Sequence, residues 1–413
     1  MYLCTVFEFH SYTNLIMKHS FCISLLLGAI SLTLVSCFGD EPANAECDIE
    51  QAWIHVDNPR SVFYNAYDTL KTVTSIEKEI TFETKGEAIH SAPIFFKTTP
   101  GATVYVVEKN GIETAFTNGN VLDFSGAQVI TFRVHSEDHH YHRDYSVQVT
   151  PRPEMPVNPT FNFDDNFELT TIKDGDQYPF YTWTETEAKI KWWASGNAGF
   201  RLTGTDAKPE DFPTCPELGT GVDGKNCLKL ETRSTGSLGP MVKMRIAAGN
   251  LFSGTFDTES AMKRPLSATH FGQPYAHKPS CLKGFYKFSP GDKLQDRAGN
   301  EISGKVDSPD FYCVVYRNTD ADGNPIQLDG STVLSSPAIV GIGRISQEDI
   351  VIRSEWTAFS LPITYSKIIT EEDVFDYKYN TAVVFSSSIR GHEFIGAPGS
   401  TLWIDNVKLE CEY

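Results

Sequence analysis

The clearest hydrophobic pattern lies near the end of the chain, where it predicts two strands joined by a loop. Residues Ala382–Phe385 are all apolar, which indicates a strand that is buried on both faces. A loop rich in glycine and proline follows. In the next segment, Leu402 and Ile404 alternate with Trp403 and Asp405. The alternation resumes at Val407–Leu409, one residue out of step. This slip predicts a β-bulge at Asp405–Asn406.

A second pair of alternating segments predicts a β-hairpin in the first part of the chain. Its strands are expected at Val129–His135 and Tyr141–Thr150, with the turn around Ser136–Asp138. The residues expected to face the core are Ile130, Phe132 and Val134 on the first strand, and Tyr145, Val147 and Val149 on the second. Short segments of this kind recur at even spacing through residues 47–150, which is typical of a β-sandwich.

A third alternating segment, Leu228–Arg233, places charged side chains on one face of a predicted strand. Leu228, Leu230 and Thr232 are expected to face the core, and Lys229, Glu231 and Arg233 to face outward. Residues 242–246 show the same alternation, with Lys243 and Arg245 outward. A charged outer face can be plain solvated surface or a ligand-binding face, and the pattern leaves both open.

Four prolines divide the chain into two predicted domains. Pro151, Pro153, Pro156 and Pro159 form a stiff, extended linker. The predicted segments are a signal region (1–36), a tether (37–46), a first sandwich (47–150), the linker (151–160) and a larger second domain (161–413). The absence of a long amphipathic helical pattern favours an all-β fold for both domains.

The N-terminal residues predict export and a lipid anchor. Met17–His19 is a short positive segment that we expect to contain the true start, and Phe21–Val35 is apolar but short for a membrane span. Leu34–Cys37 resembles the lipobox of bacterial lipoproteins, so Cys37 is the expected lipidated residue. The acidic pair Asp40–Glu41 resembles the surface-export signal of Bacteroidetes lipoproteins. We therefore expect a lipid-anchored protein of the outer membrane, exposed at the cell surface and touching the membrane only through its anchor.

Charge and cysteine content narrow the range of partners. The 413-residue chain has a formal net charge of −18, which argues against nucleic acid as a partner. An exported protein can form disulfides, and six cysteines remain after Cys4, Cys22 and Cys37 are set aside. Cys215 and Cys227 flank a glycine-containing loop and form the best candidate pair, although six cysteines allow fifteen pairings.

Motifs in order along the second domain carry a family resemblance. They are Phe161–Asp165, Trp192–Gly199, Leu228–Thr232, Ile246–Thr255, Phe271–Tyr275, Leu282–Phe288, Trp356–Phe359, Phe385–Ser388 and Gly399–Leu402. With these motifs the domain resembles the putative carbohydrate metabolism domain family of Bacteroidetes surface lipoproteins. The resemblance implies an all-β fold, with an immunoglobulin-like β-sandwich followed by a larger β-sandwich of the jelly-roll type. It also implies a sugar pocket on the concave sheet of the jelly roll.

Candidate sugar ligands are aromatic side chains and planar polar groups, because sugars bind to aromatic faces and to groups that reach several hydroxyls. The candidates are Trp192, Trp193, Asn197, Glu231, Arg233 and Arg245, with Tyr286, Trp356, Ser386, Ser388 and Arg390 as weaker members. A place in the hydrophobic core is the alternative for each tryptophan.

Three functions are compatible with these residues. The first is a glycan-binding protein that holds an oligosaccharide or polysaccharide without chemistry. The second is a glycoside hydrolase that uses Glu231 and a second carboxylate, since glycosidases need two carboxyl groups about 5–10 Å apart. The third is a structural or adhesion lipoprotein. No cofactor is expected, and Asp164 and Asp405 are the candidate ligands of a structural calcium ion.

Overall fold

The fold is all-β. The computed structural model of the protein describes residues 43–75, 77–86, 89–152, 154–161, 167–172, 176–181, 183–185, 188–190 and 192–413. The signal region, Cys37 and Asp164 lie outside these residues. Within the described part of the chain, no helix is both long and apolar enough to cross a membrane.

The N-terminal part of the chain, residues 49–151, forms two sheets. Its strands are β1 (Ile49–Ile54), β2 (Leu70–Thr72), β3 (Glu79–Thr84), β4 (Ser91–Thr98), β5 (Thr103–Val107), β6 (Glu113–Ala115), β7 (Val121–Asp123), β8 (Ile130–His135) and β9 (His142–Pro151). One sheet has the order β2-β1-β4-β7 and the other the order β3-β9-β8-β5-β6. A short helix, α1 (Pro59–Val62), follows β1.

The hairpin predicted in the N-terminal part is confirmed. Strands β8 and β9 pair antiparallel, with His135 opposite His142 and Phe132 opposite Tyr145. Phe132 and Tyr145 are buried, as are Val134, Val147 and Val149. The alternation therefore identified the face of the hairpin that packs into the core of the N-terminal part.

The C-terminal part of the chain, residues 160–411, contains the remaining strands of the described residues. They are β10 (Thr160–Phe161), β11 (Phe167–Ile172), β12 (Asp176–Tyr181), β13 (Trp183–Glu185), β14 (Ala188–Ile190), β15 (Trp193–Ala194), β16 (Thr214–Glu217), β17 (Cys227–Glu231), β18 (Arg233–Ser234), β19 (Ile246–Ala247), β20 (Asn250–Phe256), β21 (Thr269–Phe271), β22 (Gln273–Pro274), β23 (Pro279–Ser289), β24 (Asp310–Arg317), β25 (Ile339–Arg344), β26 (Arg353–Pro362), β27 (Thr364–Tyr365), β28 (Tyr379–Ser386) and β29 (Thr401–Cys411). Short helices α2 (Asn197–Leu202), α3 (Thr258–Ala261) and α4 (Glu371–Phe375) lie between them.

Two large sheets of the C-terminal part share one core. The six-stranded sheet has the order β16-β17-β29-β23-β26, with β10 also paired to β29. The eight-stranded sheet has the order β15-β20-β28-β24-β25-β27, with β21 and β22 added at β20 and β28. Their facing side chains form one buried cluster, which includes Leu228, Ile404, Phe311 and Phe385. This packing of two sheets is that of a β-sandwich.

Two features of the last strands agree with the sequence pattern. The pairing of β23 with β29 shifts register between Lys283 and Phe285, and Asn406 has a φ of 46°, so the predicted bulge is present. Strand β28 is buried along its length up to Phe385, on both faces. The strand predicted over residues 242–246 is wrong, because Pro240–Val242 is a 3₁₀ helix and Lys243 is left-handed.

Candidate functional site

A cavity of about 330 Å³ opens on the face of the eight-stranded sheet that is turned away from the shared core. Its floor consists of side chains from three neighbouring strands, β20, β28 and β24. One cross-strand row is polar: Asn250 pairs with Ser386, which pairs with Asp310. The next row is apolar or aromatic: Phe252 pairs with Val384, which pairs with Tyr312. We call these the polar row and the apolar row.

The strand period explains why these residues share the cavity. Successive side chains of a strand point to opposite faces, so Asn250 and Phe252 face the cavity while Leu251 between them enters the core. In the same way, Phe311 enters the core between Asp310 and Tyr312. The strands are apolar on both faces because both of their faces are covered.

Asp310 is the strongest electrostatic feature of the floor. Arg344 on β25 donates to both of its carboxyl oxygens, at 2.9 and 2.8 Å. Burial raises the pKa of the Asp310 carboxyl above its ordinary value, against the opposing effect of the Arg344 guanidinium. The backbone of Phe311 also hydrogen-bonds this carboxyl group, and because each carboxyl oxygen has two lone pairs, part of its capacity to accept hydrogen bonds remains.

The other members of the polar row are held by backbone contacts. Asn250 Oδ1 accepts from the Gly196 amide at 2.7 Å, and its side-chain nitrogen donates to Ala248 O at 3.2 Å. Ser386 Oγ donates to Ser388 O at 2.9 Å. In the contacts of the described residues, these bonds use one of the two N–H groups of the Asn250 amide and the hydroxyl proton of Ser386.

Loops and short helices form the walls of the cavity. Phe200 of α2 lies on one side, and residues 256–271, which include α3, lie on another. The segment 330–335 and the segment 388–394, with exposed His392, complete the mouth. Gly199 fits α2 closely against β20, since a Cβ at this position would lie 2.7 Å from the Phe256 ring.

A buried hydrogen-bond cluster fixes the segment that follows β28. Asp307 Oδ2 accepts from Ser388 Oγ at 2.6 Å, from the Ala397 amide at 2.7 Å and from Ser400 Oγ at 2.8 Å. Thr232 Oγ1 also contacts Ser388 Oγ, at 2.6 Å. Ser388 lines the cavity, but its hydroxyl is already engaged in this cluster, so its role here is structural.

Most of the residues predicted from the sequence to bind sugar lie elsewhere. Trp192, Trp193 and Tyr286 are buried in the core between the two large sheets. Asn197 is also buried, and it links α2 to β16 through two hydrogen bonds with the backbone of Thr214. These four predictions are corrected because the side chains point into the fold.

Three further predicted ligands lie outside the cavity. Glu231 on β17 and Trp356 on β26 belong to the six-stranded sheet, and Arg233 lies on the short strand β18 that follows β17. Glu231 and Arg233 form an ion pair of 3.0 Å, and Arg233 also lies 3.9 Å from Asp211. Trp356 donates from its indole nitrogen to Thr220 O at 3.2 Å. The charge of Glu231 is therefore paired with the guanidinium of Arg233. Glu231 belongs to the six-stranded sheet, whereas the polar row belongs to the eight-stranded sheet.

Two predicted arginines flank the cavity without lining it. Arg245 is exposed between two cavity residues, Met244 and Ile246. Arg390 is exposed and forms an ion pair of 2.6 Å with Glu393. Of the predicted sugar ligands, only Ser386 and Ser388, both weaker candidates, line the cavity.

The predicted disulfide is absent, since Cys215 and Cys227 are free thiols. They lie on adjacent strands, but Cys215 is opposite Lys229 and Cys227 is opposite Glu217, so the two occupy diagonal positions. Their sulfur atoms contact Glu210 O and Thr220 Oγ1 respectively, each at 3.3 Å. Burial raises the pKa of the Cys227 thiol to about 11.

Both carboxyl oxygens of Asp405, a candidate calcium ligand, accept hydrogen bonds from the backbone. Its Oδ2 accepts from the Val222 amide at 2.7 Å, and Oδ1 accepts from the Asn406 amide at 2.8 Å. Asp164, the second candidate, is not among the described residues. No group of three or more His, Cys, Asp or Glu side chains arranged to hold a metal occurs in the described ranges.

Sequence reasoning missed Asn250, Asp310 and the apolar row. The available signal was that the strands are apolar on both faces, which requires a second covered face beside the core. Polar residues at the ends of such strands, such as Asp310 and Ser386, then mark the rim of that second face.

Comparison with known proteins identifies the family. The model of the putative carbohydrate metabolism domain matches residues 162–410, which is more than half of the chain. The chain belongs to this family. No match is found among curated proteins.

Two solved structures are similar to this member of the family. A putative glycoside hydrolase from Bacteroides thetaiotaomicron is 35% identical, with a TM-score of 0.69, over 91% of this chain and 99% of that one. A putative glycoside hydrolase from Bacteroides vulgatus is 36% identical, with a TM-score of 0.56, over 62% of this chain and 99% of that one. Together with the family match, these neighbours connect the protein with carbohydrate metabolism.

Proposed function

We propose that this protein binds an oligosaccharide or polysaccharide in the cavity above β20, β28 and β24, in carbohydrate uptake or metabolism. The observation that carries the proposal is the polar row, Asn250, Ser386 and Asp310, which lies directly beside an apolar row on the floor of one cavity. A pyranose has hydroxyl groups at its edge and C–H groups on its faces. Adjacent polar and apolar rows match this division.

The polar row retains hydrogen-bonding capacity for a ligand. Among the described contacts, the Asn250 amide keeps one N–H, and the Asp310 carboxyl oxygens keep lone pairs after both have bonded Arg344. The donor of Asn250 and the acceptors of Asp310 lie two strand spacings apart, about 10 Å, on either side of Ser386. This separation suits hydroxyl groups at the two ends of a sugar or on neighbouring sugars, since hydroxyls both donate and accept. Arg344 also fixes the carboxyl plane of Asp310, so little side-chain freedom is lost when a ligand binds.

The cellular setting remains as the sequence predicts it. A lipid-anchored protein at the cell surface would hold a glycan before its uptake, with the lipid on Cys37 as its contact with the membrane. The net charge of −18 is consistent with an uncharged ligand such as a neutral glycan and opposes nucleic acid. Metabolic labelling with palmitate, compared between the wild type and Cys37→Ala, tests the anchor, and labelling that survives the substitution would refute it.

Native affinity electrophoresis in gels that contain single polysaccharides tests glycan binding. We expect at least one polysaccharide to retard the protein, and Ser386→Ala to reduce this retardation. Trp356→Ala is the control, because Trp356 is an aromatic residue that the sequence predicts to bind sugar, lies outside the core cluster and belongs to the other sheet. Retardation that is lost in Trp356→Ala but kept in Ser386→Ala would refute the proposed site, and no retardation by any glycan would refute glycan binding.

A second candidate function is glycoside hydrolysis, and the buried Asp310 is the observation that favours it. A carboxyl with a raised pKa can act as a general acid. Among the described residues that line the cavity, however, Asp310 is the only acidic one, whereas glycosidases use a pair. Release of new reducing ends that stops in Asp310→Asn would support hydrolysis, and no release from any bound glycan would support binding alone.

A further inference from the structure

One side of the cavity is mostly apolar. It consists of Phe256, Met262, Leu266, Phe271, Val333 and Leu334, which we call the apolar wall. Phe271 and Val333 pack with Phe252 and Tyr312 of the floor in one buried cluster. Leu266 remains 38% exposed, so the wall reaches solvent at the mouth.

Serine hydroxyls near this wall are bonded within the protein. Ser331 Oγ donates to Asp329 Oδ1 at 2.6 Å, and Ser335 Oγ donates to Ser331 O at 3.2 Å. The two segments of the wall are joined where the Gly330 amide donates to Leu266 O at 2.8 Å. The wall therefore offers a ligand a fixed apolar surface, with few hydrogen bonds.

A bare sugar is a poor partner for such a wall. Hydroxyl groups placed against it would lose their hydrogen bonds to water without replacement, which is unfavourable. An apolar group in the same place would gain from leaving water. Phenylalanine rings and a methionine thioether also pack well against aromatic rings.

From these contacts we infer that the bound glycan carries an aryl or acyl substituent, and that the apolar wall binds this substituent while the polar row binds the sugar. The inference rests on the proposed function and names the class of glycan. The cavity volume of about 330 Å³ lies near the lower end of the range for small-molecule sites, which favours one short substituent over the long chains of a membrane lipid.

The test compares glycosides that differ only in the aglycone. Isothermal titration calorimetry would measure the affinities of methyl, phenyl and hexyl β-glycosides of glucose, galactose and mannose. We expect phenyl or hexyl glycosides of at least one sugar to bind tenfold or more tightly than the methyl glycoside of the same sugar. A preference for phenyl over hexyl would identify an aryl substituent, and the reverse a substituent with an aliphatic chain, such as that of an acyl group.

Two leucine-to-glutamate variants locate the effect. Leu334→Glu places a charge in the apolar wall and should abolish the advantage of the apolar aglycone. Leu218→Glu makes the same change at a residue that is 71% exposed and does not line the cavity, and it should keep the advantage. Circular dichroism of both variants checks that they fold. If Leu334→Glu fails to fold, Leu334→Ser provides the same comparison without a charge.

The outcomes separate the inference from the proposed function. Equal affinities for all three aglycones, with binding lost in Ser386→Ala, would overturn the inference and support the proposed function. Binding of the neutral apolar dye N-phenyl-1-naphthylamine that is lost in Leu334→Glu, without binding of any glycoside or polysaccharide, would support the apolar site and overturn the proposed function. An advantage that persists in Leu334→Glu would overturn the assignment to this wall.

Discussion

Replacement of Asp307 by alanine should strongly destabilise the C-terminal part of the chain, residues 160–411. The substitution leaves the Ala397 amide, Ser388 Oγ and Ser400 Oγ without their shared acceptor. All three residues are buried. A buried donor left unpaired costs about 1–3 kcal/mol. The Ala397 amide cannot turn to another acceptor, whereas Ser388 Oγ can turn to Thr232 Oγ1 at 2.6 Å. We therefore count one full cost and two partial costs, and expect a loss of about 4 kcal/mol in the free energy of unfolding.

Urea unfolding followed by tryptophan fluorescence measures this loss. Asp322→Ala is the control, because Asp322 is an exposed aspartate in a loop and should change the free energy of unfolding by less than about 0.5 kcal/mol. Asp307→Asn keeps an acceptor oxygen and should fall between the control and Asp307→Ala. A loss below about 1 kcal/mol in Asp307→Ala, with an unchanged urea slope, would refute the account of this cluster.

Three further predictions concern residues of the core and the site. Trp192→Ala should cost about 3–5 kcal/mol in the free energy of unfolding but leave the affinity of the folded protein for glycan unchanged, since Trp192 lies in the core; urea unfolding and affinity electrophoresis measure the two effects. Because burial raises the pKa of Asp310, the folded state binds its proton more readily than the unfolded state; the stability of the wild type relative to Asp310→Asn should therefore rise as the pH falls from the raised pKa towards about 4, and a fall over this window in pH-dependent urea unfolding would contradict it. Because burial raises the pKa of Cys227 to about 11, its thiol should react with a thiol reagent at pH 8 far more slowly in the folded protein than in urea, as followed by mass spectrometry; equal rates would contradict the burial.

The local pattern of the sequence predicted the parts of the fold that depend on neighbouring residues. The face of the β8–β9 hairpin follows from alternation alone, and the bulge at Asp405–Asn406 follows from the slip in that alternation. The same argument gave the buried face of Leu228 and Leu230. These features need only the two-residue period of a strand and one buried side.

The cavity could not be predicted in this way, because it depends on which strands pair and which loops cover them. Asp310 and Ser386 are far apart in sequence and become neighbours only when β24 pairs with β28. Glu231 has a similar local pattern but belongs to a strand of the opposite sheet.

Tryptophan shows the second limit of the sequence. A Trp-Trp pair next to a glycine-containing loop is equally compatible with a sugar site and with a core. Trp192 lies in the core because the chain there enters the space between the two sheets, where its ring packs near Tyr275. That position depends on tertiary packing, and the residue type does not reveal it.

Hydrogen–deuterium exchange tests most directly whether the glycan binds in the cavity. The exchange is compared with and without a glycan that retards the protein in affinity electrophoresis. We predict that the glycan protects amides of the segments that line the cavity, at residues 256–271, 330–335 and 388–394. Protection confined to residues 227–233, 353–357 and 401–405, on and beside the six-stranded sheet, would contradict the account and return the site to Glu231, Arg233 and Trp356.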